Sequence, residues 1–298
     1  MRADATRTPR VSVALPVRNG ERLLPRALDS LLAQDFDDFE LIICDNASSD
    51  GTQELCLDYG AKDPRIRYDR VERNIGVMPN FNRALGFARG EYFKWAAHDD
   101  WCDPRFLGRC VEVLDANPAV VLCTTQTTQV DELGNPLVVN FRPLDLRSPD
   151  PSQRFKKVLW SPPAVYPIYG VSRTSVLRRS GLFRSHSGAD RVIIAELSLL
   201  GQIWQVPEPL FFDRNTVSAR HDRRPTFFDA ANRNLPPFKH WRVLSGHLEV
   251  LARSPELTPR QKLGLARHVI ARYGIKDGRM LLADFGQASR IILARDWS

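Results

Sequence analysis

Cysteine is scarce in this 298-residue chain, with five in all. Cys44, Cys56, Cys102, Cys110 and Cys123 form no CxxC pair. An odd, widely spaced set excludes a disulfide scaffold and matches no zinc-site spacing, so free thiols in a reducing compartment are expected. Long apolar runs are lacking too. No stretch reaches the roughly 20 residues that a bilayer-spanning helix needs. Met1 to Arg10 is polar and basic with no apolar run behind it, unlike a secretory signal. The expected location is the cytoplasm. Neither a GxGxxG fingerprint nor a Walker loop is present, and there is no GxSxG elbow or HExxH helix. Dinucleotide-dependent hydride transfer, P-loop hydrolysis and zinc hydrolysis therefore lose ground. Internal repeats and low-complexity tracts are absent.

The chain carries 42 Lys+Arg against 35 Asp+Glu, a net charge of +7. From Arg220 onward there are 15 basic and 7 acidic residues, net +8, while the first 219 residues come to −1. Such asymmetry suits nucleic acid, an anionic membrane surface, an acidic partner or a solvated helical surface. The balanced N-terminal portion argues against nucleic acid. Hydrophobic residues make up 43%, which excludes disorder as the main state and gives enough apolar material for a large core.

What is present is an alternation of strands and helices. Val11-Ser12-Val13-Ala14-Leu15 is a short apolar run ending at Pro16, which reads as a buried strand. Leu23 to Leu32 follows with helical spacing, and Phe39 to Cys44 is a second strand. A helix through Tyr59, a short strand at Arg65 to Tyr68, a helix from Asn80 to Ala88 and a strand from Tyr92 to Ala96 continue the pattern. The expected fold class is α/β, with a mainly parallel sheet flanked by helices. Beyond residue 125 the pattern weakens. Val130 to Phe141 reads as a hairpin around Gly134-Asn135, residues 143–163 as a long loop, Val165 to Val171 as a strand and Asp190 to Gly201 as a helix. Trp204 to Phe212 reads as a strand and residues 220–237 as a linker. Helices are expected near 238–253, 259–273 and 277–294.

Ligands of an open α/β sheet sit at the carboxyl ends of its strands. Polar clusters fall at three such ends: Pro16–Glu21, Asp45–Asp50 and His98–Asp100. Asp50, before Gly51-Thr52, reads first as a helix cap. Asp99-Asp100 places two carboxylates side by side, which a cation or a proton must offset. Hard oxygen ligands suit Mg²⁺ or Mn²⁺, ions that complete their shells with substrate phosphates. Taken alone, the same dipeptide also fits a solvated turn before Asp103-Pro104.

Together these clusters resemble the family 2 glycosyltransferases. Val11 to Glu21 is similar to the family's opening, and Leu41 to Thr52 to its second motif. Asn74-Ile75-Gly76, Ala88 to Tyr92 and Ala97-His98-Asp99-Asp100-Trp101 match the approach to the metal motif and the motif itself. The resemblance runs in order over residues 11–125 and reappears near 181–218. It implies a GT-A fold and inverting transfer of a sugar from a nucleotide-sugar donor, UDP-linked by preference, to a hydroxyl acceptor in cell-surface polysaccharide or glycoconjugate synthesis. Pro16, Val17, Arg18 and Glu21 would line the nucleotide pocket, and Asp45 would accept from the base. Asn80, Arg83, His98 and Asp99 would complete the nucleotide site. Asp100, with Asp99, would hold Mn²⁺ or Mg²⁺. Asp190, in Ser187-Gly188-Ala189-Asp190, would be the catalytic base, where residue type alone suggests an N-cap. Pro207-Glu208-Pro209-Leu210 and Arg214 resemble the closing segment. The histidine that many relatives carry just after that arginine is replaced by Asn215-Thr216-Val217, which leaves His221 as the candidate third metal ligand.

The implied organisation is a tail (1–10), a catalytic domain (11–219, its nucleotide-sugar half 11–125 and its acceptor half 126–219) and a basic helical C-terminal region (220–298). That region, from residue 238 on, suits packing on the catalytic core, a homodimer or peripheral contact at the inner face of the membrane. The acceptor is a glycan, a lipid-linked glycan or a small molecule, with no nucleic acid as partner. The competing readings are a non-catalytic nucleotide-sugar-binding protein and a nucleotidyltransferase on a related fold. The second lacks the Gly-rich basic loop it needs after the first strand.

Overall fold

A computed structural model describes residues 8–140, 146–161, 166–184, 188–214 and 238–295. Strand β1 (Val11–Val17) pairs in parallel with β2 (Phe39–Asp45) and β4 (Tyr92–Trp95), and β2 pairs in parallel with β3 (Ile66–Arg70). The sheet continues through β8 (Val171–Arg173), β6 (Val120–Val130) and β9 (Gln202–Arg214), then β5 (Trp101–Cys102) at the edge; β7 (Pro136–Asn140) pairs with β6 off this path. There β4–β8, β6–β8, β5–β9 and β6–β7 are antiparallel while β6–β9 is parallel. The all-parallel character thus belongs to the N-terminal half, and the whole sheet is mixed.

Alternation along β1 and β2 divides the core between two faces. Val11, Val13, Leu15, Leu41 and Ile43 pack against α1 (Leu24–Leu32) and α4 (Phe106–Ala116), with Cys56 of α2 (Thr52–Lys62). Ala14, Ile42, Phe93 and Trp95 pack on the other face against α3 (Val77–Gly86), α6 (Thr174–Arg179) and α7 (Ala189–Leu200). Burial on both faces is what lets these strands read as continuous apolar runs. All five cysteines are free and buried.

The sequence reading has no counterpart for β5, α4, α6 or β6 before Val130, and three further segments differ from it. Residues 143–163 contain α5 (Pro151–Trp160), started by Asp150, whose Oδ1 accepts from Ser152 N at 2.8 Å, with Pro151 at the first helical position. A cap followed by Pro is itself a start signal. The expected strand at 165–171 is a 3₁₀ turn (Tyr166–Tyr169) followed by the short β8. The two helices expected after residue 259 are one, α9 (Pro259–Arg295). Gly274 and Gly278 each cost about 1 kcal/mol in a helix. Burial of Tyr273 and Leu281, and the Arg272–Asp277 ion pair at 2.7 Å, carry the helix through. The expected hairpin is present, with Gly134 at φ +94°. The expected linker 220–237 lies outside the described residues.

A third core cluster joins the C-terminal helices to α5 and α7. Phe155 and Leu159 of α5 and Val192, Ala195 and Leu199 of α7 meet Val243 and Val250 of α8 (Lys239–Arg253) and Leu265, Val269 and Tyr273 of α9. Asp284 of α9 starts α8: one oxygen accepts from His240 N at 2.8 Å and the other pairs with its ring. No helix among the described residues is long and apolar enough to cross a membrane.

His247 lies inside this cluster, and its Nδ1 donates to Val243 O at 2.7 Å. Burial, which outweighs that hydrogen bond, pushes its pKa down to about 4, helped by Arg191, Arg272 and Arg184. The folded state keeps the ring neutral, whereas the unfolded chain takes up a proton below about 6.5. Stability from this group is therefore complete above pH 6.5, falls as pH drops towards 4 and is flat below that. The expected loss between pH 7 and pH 5 is about 2 kcal/mol. Urea unfolding of the protein and of His247→Gln at both pH values checks this: equal pH slopes in the two would remove the ring as the cause.

Candidate nucleotide and metal site

The carboxyl ends of β1, β2 and β4 meet at one end of the sheet. After Val17 the chain turns through Asn19, at φ 53°, and Gly20. A Cβ on Gly20 would stand 2.6 Å from Val17 Cγ2 and 3.2 Å from His98 Cδ2. Glycine is thus what lets the His98 ring close over the β1 turn. That turn is bonded strand end to strand end with the segment after β2. Asn19 N donates to Ser48 Oγ, and Ser49 N to Asn19 Oδ1, both at 2.9 Å. Gly20 N donates to Thr52 Oγ1 at 2.8 Å, and Gly51 N to Glu21 Oε2 at 3.0 Å. Asp50 accepts from Thr52 N at 3.1 Å and from Glu21 N at 3.2 Å. Burial acts to raise its pKa, but these bonds and the Thr52 hydroxyl hold it below the usual carboxylate range. Gly51 is the N-cap of α2, and Asp50, one place before it, holds the helix start through Thr52 N. Pro16 and Val17 are buried in the β1 end, Arg18 is half-buried and Glu21 is exposed.

Asp45 is fully buried. Its Oδ1 accepts from Ser48 N at 2.9 Å and Ser48 Oγ at 2.6 Å; its Oδ2 accepts from Tyr68 OH at 2.7 Å and pairs with Arg70 Nε at 3.3 Å. A direct bond from this carboxylate to a base requires one of those partners to leave. Burial, then Asp45 itself, raises the Tyr68 pKa far above its ordinary value, so this phenol is a firm donor. Asn80 is buried; its Nδ2 donates to Cys44 O at 2.8 Å, and its Oδ1 accepts from Arg83 Nε at 3.2 Å. Arg83 pairs with Asp69. These two therefore brace α3 against the ends of β2 and β3.

Asp99 is half-buried and Asp100 buried. Asp100 Oδ1 accepts from Arg214 N at 3.0 Å, across the β5–β9 pairing of Trp101 with Phe212. The metal motif and the closing segment are thereby joined. No three His, Cys, Asp or Glu side chains converge as a ligand set among the described residues. Two adjacent carboxylates fit a hard cation that takes one or two protein ligands and fills its shell with phosphate oxygens and water. His221 lies outside the described residues.

Asp190 is the second residue of α7, after Gly188 at φ 85°. It is half-buried, and its Oδ1 accepts from Arg191 N at 2.9 Å. The segment before α7 is fixed to α3: Asn82 Nδ2 donates to Phe183 O at 2.8 Å and Phe183 N donates back to Asn82 Oδ1 at 3.0 Å. Phe183 also meets Trp95, the last residue of β4, edge to face with ring centroids 5.0 Å apart. Packing thus sets the helix start that carries Asp190 against the β4 end.

The motifs do not point to Tyr68, Arg70 or Arg26. Tyr68 and Arg70 become visible only through the β2–β3 register, which sets Ile43 beside Tyr68 and Asp45 beside Arg70.

The family model for "Glycosyl transferase family 2" matches residues 12–179, more than half of the chain. The chain belongs to glycosyltransferase family 2. An uncharacterized glycosyltransferase of Rickettsia typhi is 35% identical over 121 residues, which are 40% of this chain and 37% of that protein. S. aureus TarS 1–349 in complex with UDP matches with a TM-score of 0.66 at 20% identity, over 89% of this chain and 72% of that one. A mannosyltransferase from Pyrobaculum calidifontis, PcManGT, in complex with GDP-Man and Mn²⁺, matches with a TM-score of 0.55 at 21% identity, over 98% and 84%. These likenesses establish the GT-A fold. This glycosyltransferase spans less than half the length of the curated relatives it matches.

Proposed function

We propose that this glycosyltransferase is a divalent-metal-dependent inverting enzyme that moves a sugar from a nucleotide diphosphate, UDP by preference, to a hydroxyl of a cell-surface glycan or glycoconjugate. The observation that carries the reading is the joining of three strand ends: the β1 turn bonded to Ser48–Thr52, His98 packed on Gly20, and Asp100 bonded to the amide of Arg214. In this reading Pro16, Val17, Arg18 and Glu21 form one wall of the nucleotide site. Asp45 holds its floor through Ser48, Tyr68 and Arg70, and Asn80 and Arg83 hold it through Cys44 O and Asp69. His98 and Asp99 face the phosphates. Asp99 and Asp100 hold Mn²⁺ or Mg²⁺, with His221 as a further ligand. A cation held there would neutralise charge on the leaving diphosphate. Asp190 takes the proton of the acceptor hydroxyl as it attacks the anomeric carbon. The support for UDP is the UDP-bound TarS structure, and for the metal the Mn²⁺-bound mannosyltransferase.

On α9, Leu263, Ile270, Ile275 and Leu282 are exposed. Cations such as Arg267 and Arg279 lie among them, whereas the acids Asp277 and Asp284 are paired inward. This face suits peripheral contact with an anionic membrane surface from the cytoplasmic side.

Thermal unfolding with UDP, GDP, dTDP or CMP, each with and without Mn²⁺, tests the donor reading. A nucleotide at a hundredfold excess over its Kd stabilises the folded state by about 2.7 kcal/mol. One nucleoside diphosphate is expected to do so only with metal, and Asp100→Ala to lose the effect. Equal stabilisation without metal, or with Asp100→Ala, would overturn the metal assignment.

A further inference from the structure

Arg26, on the first turn of α1, lies with its guanidinium carbon 3.3 Å from the centroid of the Trp101 ring. On the hairpin side, a Cβ built on Gly134 would stand 2.7 Å from Arg26 Nη2 and 3.1 Å from Nη1. The guanidinium is thus packed between an indole and the bare backbone of the β6–β7 turn. Gly134, at φ +94° and with no room for a side chain, is what admits it. Among the described residues Arg26 makes no hydrogen bond and no ion pair. Its side chain is nevertheless exposed to water. A second guanidinium, Arg214, lies 5.6 Å from the same ring and is buried. Burial, then the Arg214 charge, lowers the Arg26 pKa, a sign that the two cations repel one another. Trp101 follows Asp100 directly, and Arg214 N is the donor to Asp100.

A stacked guanidinium has lost much of its freedom before any ligand arrives, and its planar fork matches an oxyanion bidentately. An anion set between Arg26 and Arg214 meets positive charge from both. We propose that Arg26 and Arg214, set about Trp101, form an oxyanion subsite beside the Asp99-Asp100 pair, and that it receives a phosphate or carboxylate group of the acceptor. The acceptor class is then an acidic glycan or a phosphate-bearing polymer or lipid. The subsite itself rests on this geometry alone; its assignment to the acceptor rests on the transfer reading above.

The probe is inorganic phosphate, titrated calorimetrically in EDTA against the protein, Arg26→Gln, Arg26→Lys and the control Arg22→Gln, an exposed arginine outside the cluster. Arg26→Gln is expected to weaken phosphate binding about tenfold, from the loss of charge-assisted hydrogen bonds. Arg26→Lys, which keeps the charge but not the fork, should fall between, and Arg22→Gln should bind as the unaltered protein does. A second titration in saturating UDP and Mn²⁺ separates the sources. Phosphate binding that persists there supports the acceptor assignment. Competition between phosphate and UDP keeps the subsite and overturns that assignment in favour of the donor diphosphate. Arg26-dependent phosphate binding in a protein that binds no nucleotide keeps the subsite and overturns the transfer reading instead. No phosphate binding, or equal binding by the protein and Arg26→Gln, overturns the subsite.

Discussion

Asp190→Asn is expected to lower kcat for transfer by about 10²–10⁴-fold, the range over which a positioned base accelerates proton transfer. The substitution is nearly isosteric. Asn keeps an oxygen that can accept from Arg191 N, as Asp190 Oδ1 does at 2.9 Å, so the start of α7 should survive. What is lost is the capacity to hold the proton of the acceptor hydroxyl. Nucleotide affinity and KM for the donor should be unchanged, because the proposed donor site lies at the ends of β1, β2 and β4. The helix-cap reading of the same residue predicts the opposite pattern: full kcat, with Asp190→Ala costing about 1 kcal/mol of stability. Steady-state kinetics on Asp190→Asn, with urea unfolding of both variants, separates the two. Full transfer by Asp190→Asn would place the base elsewhere.

The parts of the fold legible in the sequence are those whose signals are local. Val11–Leu15 and Phe39–Cys44 read as strands because both faces are buried, and Leu24, Ala27, Leu28 and Leu31 read as one helix face. The three polar clusters were found because strand ends are where ligands sit. What was not legible depends on partners distant in sequence. The donor to Asp100 is the amide of Arg214, 114 residues on. Asp45 looked like an open acceptor, since the residues that enclose it, Tyr68 and Arg70, come from a strand whose register with β2 no motif announces. Arg26 carries no signal in the sequence, because its setting needs both Trp101 and the hairpin glycine. The single helix α9 escaped for a different reason: Gly274 and Gly278 weaken it locally, and only packing against α5 and α8 decides the outcome. By contrast α5 carried its own start signal, Asp150-Pro151-Ser152, inside a stretch whose proline and polar content masked it.

Asp45→Ala is expected to cost about 3 kcal/mol of stability, from hydrogen bonds to a buried charge that are worth about 1.5–3 kcal/mol each and from donors left unsatisfied. The fully buried carboxylate serves four groups at once, Ser48 N, Ser48 Oγ, Tyr68 OH and Arg70 Nε. Arg70 is 34% exposed and can turn to water, which keeps the cost below the sum. Ser48 is the critical neighbour. Its Oγ donates to Asp45 and accepts from Asn19 N, so losing the carboxylate frees the link between the second motif and the β1 turn. Asp45→Asn keeps an oxygen for Ser48 but turns an NH₂ group towards Arg70, so it should cost about half as much. Tyr68→Phe, which removes one donor only, should cost about 1 kcal/mol. Urea midpoints at constant m-value read all three. The contrary case has its own signature: if the Asp45 carboxylate is reserved for a nucleotide base, Asp45→Asn lowers nucleotide affinity and leaves the urea midpoint where it was. The enclosure of Asp45 by Ser48, Tyr68 and Arg70 favours the first pattern, in which this residue shapes the proposed nucleotide site by holding its walls together.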